Sequence, residues 1–175
     1  AGSKDSNKCT LILTEGDSAA GCARSGMSVV GRDFYGIFPL KGKLLNVREA
    51  STKQLLGNEE INNIKQILGL RAEYKYDNDD EFNTLRYGKI MIFTDQDVDG
   101  SHIKGLVMNL FHHMWPELLK RKGFITSLST PIVKAFKGND VKIFYNLTEY
   151  ENWNNTDPKG YKIKYYKGLG TSTKD

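Results

Sequence analysis

An open α/β sheet with a smaller α+β extension is the fold class the sequence predicts, on three observations. Two apolar runs of strand length, Thr10–Thr14 and Lys89–Thr94, are each followed by a helical pattern. The second run is apolar on both faces, as a strand inside a parallel sheet is. Strand and helix then alternate to about residue 136, where hairpin texture takes over.

Each element has its own signal. Residues 1–8 are small and polar and read as a linker. Thr10–Thr14 ends in Glu15-Gly-Asp-Ser-Ala19, where Asp17 or Ser18 can cap a helix running to about Ser25, with Gly26 placed to stop it. Ile37–Leu40 is a second short apolar piece, followed by a basic loop containing Lys41, Lys43 and Arg48. Ile61, Ile64, Ile67 and Leu68 place a helix over 58–69. Residues 73–81, with Glu73, Asp77, Asp79, Asp80 and Glu81 against Lys75, read as a solvated acidic loop. Lys89–Thr94 runs into Asp95-Gln-Asp-Val-Asp-Gly100. A long helix follows from Ser101, its stripe passing through Ile103, Leu106, Val107, Leu110, Phe111, Met114 and Leu118. Ile132–Phe136 and Val141–Tyr145 flank a Gly138-Asn139-Asp140 turn as a hairpin. Thr148-Glu-Tyr-Glu151 has capping-box spacing, Tyr161–Tyr166 is a last strand and Gly168-Leu-Gly170 a turn. The expected organisation is a linker over 1–8, an α/β domain over 9–136 and an α+β extension over 137–175.

Composition narrows the classes. Of 175 residues 39% are hydrophobic, enough for a core, which excludes disorder, collagen and low-complexity fibre. Apolar runs are far shorter than the roughly 20 residues of a spanning helix, and no basic-then-apolar leader supports secretion. Cys9 and Cys22 suit a reducing compartment and match no metal or redox spacing. The net charge of +4 is too mild to argue for nucleic acid; its distribution says more.

Functional side chains of open α/β sheets gather where strands end. Two such ends carry acids: Glu15, and Asp95, Asp97 and Asp99. On an extended backbone the period of two turns the three aspartates to one side. Carboxylates so close oppose each other's ionisation and call for a proton, a cation or open water. Hard oxygen ligands with room for waters suit Mg²⁺, which beside a phosphate stabilises an attacking or leaving oxygen. The competing reading is a solvated turn, since Asp and Gly are ordinary turn residues. A calcium loop counted from Asp95 fails, because position 12 is Leu106 and a strand enters it. Asp97-Val-Asp99-Gly-Ser101 also looks like the nucleophile motif of haloacid-dehalogenase-like phosphatases, but that leaves Glu15-Gly-Asp-Ser-Ala19 and the basic loop unexplained. Glu15 alone is a strand-end acid; beside the aspartates it suits a metal ligand or general acid/base. Gly42 between Lys41 and Lys43 allows close backbone approach. Lys159, Lys162, Lys164, Lys167 and Lys174, interleaved with Tyr161, Tyr165 and Tyr166, suit nucleic-acid phosphates or a lysine-protected edge strand. His102, His112 and His113 share no ligand spacing, and Met108 and Met114 read as helix packing.

Taken together, Glu15-Gly-Asp-Ser-Ala19, Pro39-Leu-Lys-Gly-Lys-Leu-Leu-Asn-Val-Arg-Glu-Ala50, Asp95-Gln-Asp-Val-Asp-Gly-Ser-His-Ile-Lys-Gly105 and Lys164-Tyr-Tyr-Lys-Gly-Leu-Gly-Thr171 resemble the Toprim domain of type IIA DNA topoisomerases of the eukaryotic kind, topoisomerase II. The first and third stretches are shared with Toprim primases and nucleases; the second and fourth are specific to topoisomerases. One departure is Lys41, where relatives usually carry Arg, which keeps the charge and loses the planar fork. The resemblance implies a Rossmann-like sheet and Mg²⁺-dependent breakage and rejoining of double-stranded DNA, with Mn²⁺ or Ca²⁺ as substitutes. It makes Glu15, Asp95, Asp97 and Asp99 the catalytic acids. Glu15, Asp95 and Asp97 would hold the metal at the scissile phosphate, Asp97 and Asp99 would serve a second position, and Glu15 would also act as acid or base. Lys43 and Asn46 would touch DNA; Asp17, Lys41 and Gly42 would lie near the cleaved step, where break-trapping drugs bind; Lys167 would approach DNA or a partner domain. The tyrosine nucleophile would lie on a winged-helix domain further along and ATP would bind an upstream domain. The parent would be a homodimer, nuclear in a cellular eukaryote and cytoplasmic if viral, with no membrane partner. An isolated module of this kind is expected to be inactive. The alternatives are another Toprim nuclease or primase-like enzyme, the phosphatase using Asp97, and a non-enzymatic DNA-binding module, favoured if the acids are dispensable.

Overall fold

Four parallel strands form the main sheet of the computed structural model, which describes residues 1–166. In chain order they are β1 (Thr10–Glu15), β2 (Tyr35–Leu40), β3 (Lys89–Phe93) and β4 (Ile125–Leu128), arranged spatially as β2-β1-β3-β4. Alternation along β1 and β3 splits their side chains between two helical layers. Leu11, Leu13, Ile90 and Ile92 pack against α3 (Glu59–Leu68) and α5 (Val98–Met114) through Ile61, Ile64, Leu68, Ile103, Leu106, Val107, Leu110 and Phe111. Ile12 and Phe93 turn the other way, onto Ala19 and Ala23 of α1 (Gly16–Val30). The predicted α/β class with a buried parallel sheet is what the chain adopts. Pro39 is tolerated because β2 is an edge strand.

The second sheet is antiparallel, in the order β6-β5-β7, from β5 (Val133–Lys137), β6 (Asp140–Phe144) and β7 (Lys162–Tyr165). Val133, Ala135 and Phe144 are buried there, with Tyr150 and Trp153 of α7 (Leu147–Asn154) packed against them. The hairpin and the last strand form as the sequence predicts. The helix cap differs: Asn146, not Thr148, accepts from the Glu149 N–H at 2.9 Å.

Other departures have local causes. Helix α1 runs past Gly26 to Val30, because Cys22 and Met27 still have the sheet to pack on; Gly31, at φ 93°, ends it. Its N-cap position belongs to Glu15, with no side-chain cap from Asp17 or Ser18. Helix α5 begins at Val98 rather than Ser101 and stops at Met114. Pro116 disfavours helical geometry in the residue before it, so Trp115 adopts φ −143° and Leu118 falls on a separate helix, α6 (Pro116–Lys120). Met108 is 43% exposed, so only Met114 serves packing. Two elements carried too little pattern to be read: β4, whose Ile-Thr-Ser-Leu is half polar, and α2 (Thr52–Gly57), opened by a Ser51/Gln54 capping box. Residues 73–81 are not plainly solvated. Tyr76 is fully buried, its N–H donates to Glu81 at 2.7 Å, and Asp79 opens the short helix α4 (Asp79–Phe82) while pairing with Arg121 at 2.8 Å. Among the described residues no helix is long and apolar enough to cross a membrane.

Candidate functional site

Strands β1 and β3 are parallel neighbours, with Thr14 opposite Phe93, so Glu15 and the segment from Asp95 leave the sheet at one edge. That segment is not extended, and the expected one-sided row of aspartates does not form. Asp97 is instead the N-cap of α5, its carboxylate accepting the Gly100 N–H at 2.8 Å, and Asp99 stands in the first helical turn. A tight strand-to-helix turn gathers the acids in place of a pleat. Gly100 permits it: a Cβ there would intrude on the Asp95 carbonyl oxygen and come within 2.9 Å of Thr94 Oγ1. Thr94 is itself fully buried, and its hydroxyl donates to the Gly100 carbonyl at 3.4 Å.

Glu15 feels the gathering most. One of its carboxylate oxygens, Oε2, is buried without a hydrogen-bond partner. Burial first, then the charges of Asp97, Asp95 and Asp99, push its carboxyl above the usual range, against a backbone hydrogen bond from Asp95. All three predicted aspartates therefore act on Glu15. Gln96, to which the sequence reading gave no role, also keeps an unpartnered buried amide nitrogen, Nε2.

The basic loop reaches the same place. Leu44 and Val47 are buried and anchor it, while Lys41, Gly42 and Lys43 stay exposed. Lys43 Nζ lies 2.8 Å from Asp99 Oδ1, which raises the affinity of the ammonium for its proton and holds the Asp99 carboxyl below the usual range. Gly42 sits at φ 99°, with nothing near the place a side chain would fill. The Lys41 N–H donates to Glu60 at 3.0 Å, and half-buried Asn46 accepts from the Arg48 N–H at 3.3 Å. Asp17 is exposed in the first turn of α1. Lys167 lies outside the described residues, as does the Gly168–Gly170 turn.

A cleft of about 390 Å³ opens between the acids and the second sheet, lined by Asp95, Gln96, Asp97, Thr130, Pro131, Ile132 and Tyr166. Strand register puts Lys134, Lys162 and Lys164 on one face of that sheet with Phe136, Val141 and Ile143, and no acid among them. Lys134 and Lys164 both stand over the Tyr166 ring. Tyr161 instead donates its hydroxyl to Asp140.

Whether these residues suit a divalent cation turns on donor type and spare valence. Four carboxylates supply hard oxygens, and one Glu15 oxygen is already desolvated and unpartnered. Among the described residues no three acids, histidines or cysteines converge as a ready-made cage. Mg²⁺ ordinarily takes one or two carboxylates, keeps waters and is completed by substrate phosphate, so this donor set fits it. The three histidines are exposed.

Residues 10–131 match the Toprim domain family, and residues 128–175 match the C-terminal associated domain of TOPRIM. DNA topoisomerase 2 top-2 of Caenorhabditis elegans is 62% identical over 175 residues, 99% of this chain and 11% of that protein. Human DNA topoisomerase 2-alpha is 59% identical over the same share of each. The crystal structure of the Plasmodium falciparum topoisomerase II DNA-binding, cleavage and re-ligation domain superposes with a TM-score of 0.89 at 58% identity, covering 99% of this chain and 24% of that one. The chain thus spans about a tenth of the length of these curated relatives.

Proposed function

The chain belongs to the Toprim family, and from that premise we propose that it is the acid-bearing module of a DNA topoisomerase II, serving transient cleavage and religation of duplex DNA. The observation that carries the proposal is the Glu15 oxygen, buried and unpartnered among Asp95, Asp97 and Asp99 at the edge where β1 and β3 end. A fold does not leave such a group desolvated without cost, and it gains a partner when substrate and cation arrive. Mg²⁺ held there would polarise the scissile phosphate and stabilise the oxygen that leaves it.

The chain's own groups divide the remaining work. Glu15, Asp95 and Asp97 would hold the cation, and Asp97 and Asp99 would serve a second one. Glu15, whose carboxyl keeps its proton to higher pH than usual, is suited to return a proton to the leaving sugar oxygen. Lys43 and Asn46 meet the DNA backbone from a loop pinned by Leu44 and Val47, and the exposed Asp17, Lys41 and Gly42 line the approach to the cleaved step. The nucleophilic tyrosine and the ATP-binding part belong to other regions of a homodimeric, nuclear parent. The phosphatase reading loses its support, because the family match is to Toprim.

Two assays test the proposal. In the full-length parent, Asp97→Ala should abolish Mg²⁺- and ATP-dependent relaxation of supercoiled plasmid while DNA is still bound; relaxation at the wild-type rate would remove the acids from the mechanism. The isolated chain, lacking the tyrosine, should produce neither nicked nor linear plasmid.

A further inference from the structure

We infer that Lys43 is a positioning residue: it occupies Asp99 until a DNA phosphate takes over its ammonium group, so that duplex engagement and cation binding at Asp99 are tied together. The inference rests on the reading of the acids as a metal site. Its basis is one contact between two residues to which the resemblance gave separate tasks, one toward DNA and one toward metal. With Nζ 2.8 Å from Oδ1, the Asp99 carboxylate already has a cationic partner, and a divalent cation approaching it meets the ammonium. The two engagements of Asp99 compete.

Three features make the exchange feasible. The pair is exposed, with side-chain accessibilities of 54% and 62%, so it is weak and yields to a competing partner. A phosphate brings Lys43 the negative charge that Asp99 gives up, so the lysine changes partner without losing one. The loop around it also need not move, because Leu44 and Val47 stay buried while the four-carbon stem of Lys43 swings over the open space at Gly42. His102, one turn further along α5, is exposed and also favours the Asp99 charge. Because binding couplings are reciprocal, cation and duplex should each strengthen the other's binding through this pair.

A double-substitution cycle on the 175-residue chain tests this with two binding readouts and no activity assay. Wild type, Lys43→Met, Asp99→Asn and the double variant are titrated with Mn²⁺, followed by electron paramagnetic resonance of the free ion. Each is also titrated with a fluorescein-labelled short duplex in metal-free buffer, followed by anisotropy. Lys43→Met should tighten Mn²⁺ binding about threefold more in the wild-type background than in Asp99→Asn, the size expected of an exposed pair. Asp99→Asn should tighten duplex binding, and more so with Lys43 present than with Met in its place. Lys43→Arg, which keeps the pairing, should follow wild type in both titrations. Equal effects of Lys43→Met in both backgrounds would mean that the lysine repels cations only by its charge, and would overturn the inference while leaving the metal site intact. Absence of Mn²⁺ binding in every variant would overturn both the inference and the metal reading beneath it.

Discussion

Two acid-rich segments of this chain, 73–81 and 95–99, look alike in composition and have opposite fates in the fold. In the first, the acids are used to build structure. Glu81 accepts the N–H of the buried Tyr76, Asp79 pairs with Arg121, and Asn78 caps the short helix that carries them. Arg121 adds a hydrogen bond to the Asn78 carbonyl and lies over the Phe82 ring. In the second, Asp95, Asp97 and Asp99 all act on Glu15, and one of its oxygens is buried without a partner. Counting carboxylates does not separate the two segments. Asking where the oxygens go does, because Glu81 and Asp79 find partners inside the chain while one buried Glu15 oxygen finds none.

The sharpest way to break this comparison is to attack the first segment. Tyr76→Ala should cost about 3–5 kcal/mol, since the ring is fully buried in the main core and its hydroxyl accepts the Arg71 N–H at 2.8 Å. A urea midpoint close to wild type would return 73–81 to the solvated loop that its composition suggests. Gly100→Ala should cost less, about 1–3 kcal/mol, because the methyl group forces the Asp95 carbonyl and the helix apart. The same variant should also weaken Mn²⁺ binding, which separates it from a purely structural lesion elsewhere. Arg121→Ala comes next, at about 1 kcal/mol for an ion pair, a carbonyl hydrogen bond and a ring contact near the surface.

The smallest expected effect has the opposite sign. Glu15 binds its proton more tightly in the folded chain than in the unfolded one, so stability contributed by the protonated form is present below the ordinary carboxylate pKa and is lost as pH rises through the raised folded value. Glu15→Gln removes that loss. The variant should melt slightly above wild type at pH 7, and the gap should close as the pH falls below the ordinary carboxylate range. A gap independent of pH would mean that Glu15 does not titrate against its neighbours.

Much of this fold was legible because its strongest patterns lie in the middle of the sheet and in α3, where burial on fixed faces leaves a clear period. What was lost lies at edges and joints. β4 is an edge strand of mixed polarity, α2 is short, and Tyr76 is a core residue enclosed by charged neighbours in the sequence. The site divides in the same way. The residue types at the two strand ends were readable, but their geometry was not. Aspartates at alternate positions fit both an extended strand and a helix cap, and here the capping preference of Asp97 prevails because Gly100 lets the helix start tightly. The Lys43–Asp99 contact joins segments distant in sequence, and no local pattern encodes it.

The central claim is that the second acidic segment is completed by a cation and the first is not. Thermal melts with and without Mg²⁺ test it on wild type, Asp97→Asn and Asp80→Asn. Asparagine preserves the cap on Gly100, so Asp97→Asn should melt no lower than wild type without metal, where it also relieves repulsion on Glu15. The account predicts a modest Mg²⁺-dependent rise in Tm for wild type and Asp80→Asn, and its loss in Asp97→Asn. A rise that survives Asp97→Asn and disappears in Asp80→Asn would place the cation at the other segment and contradict the account.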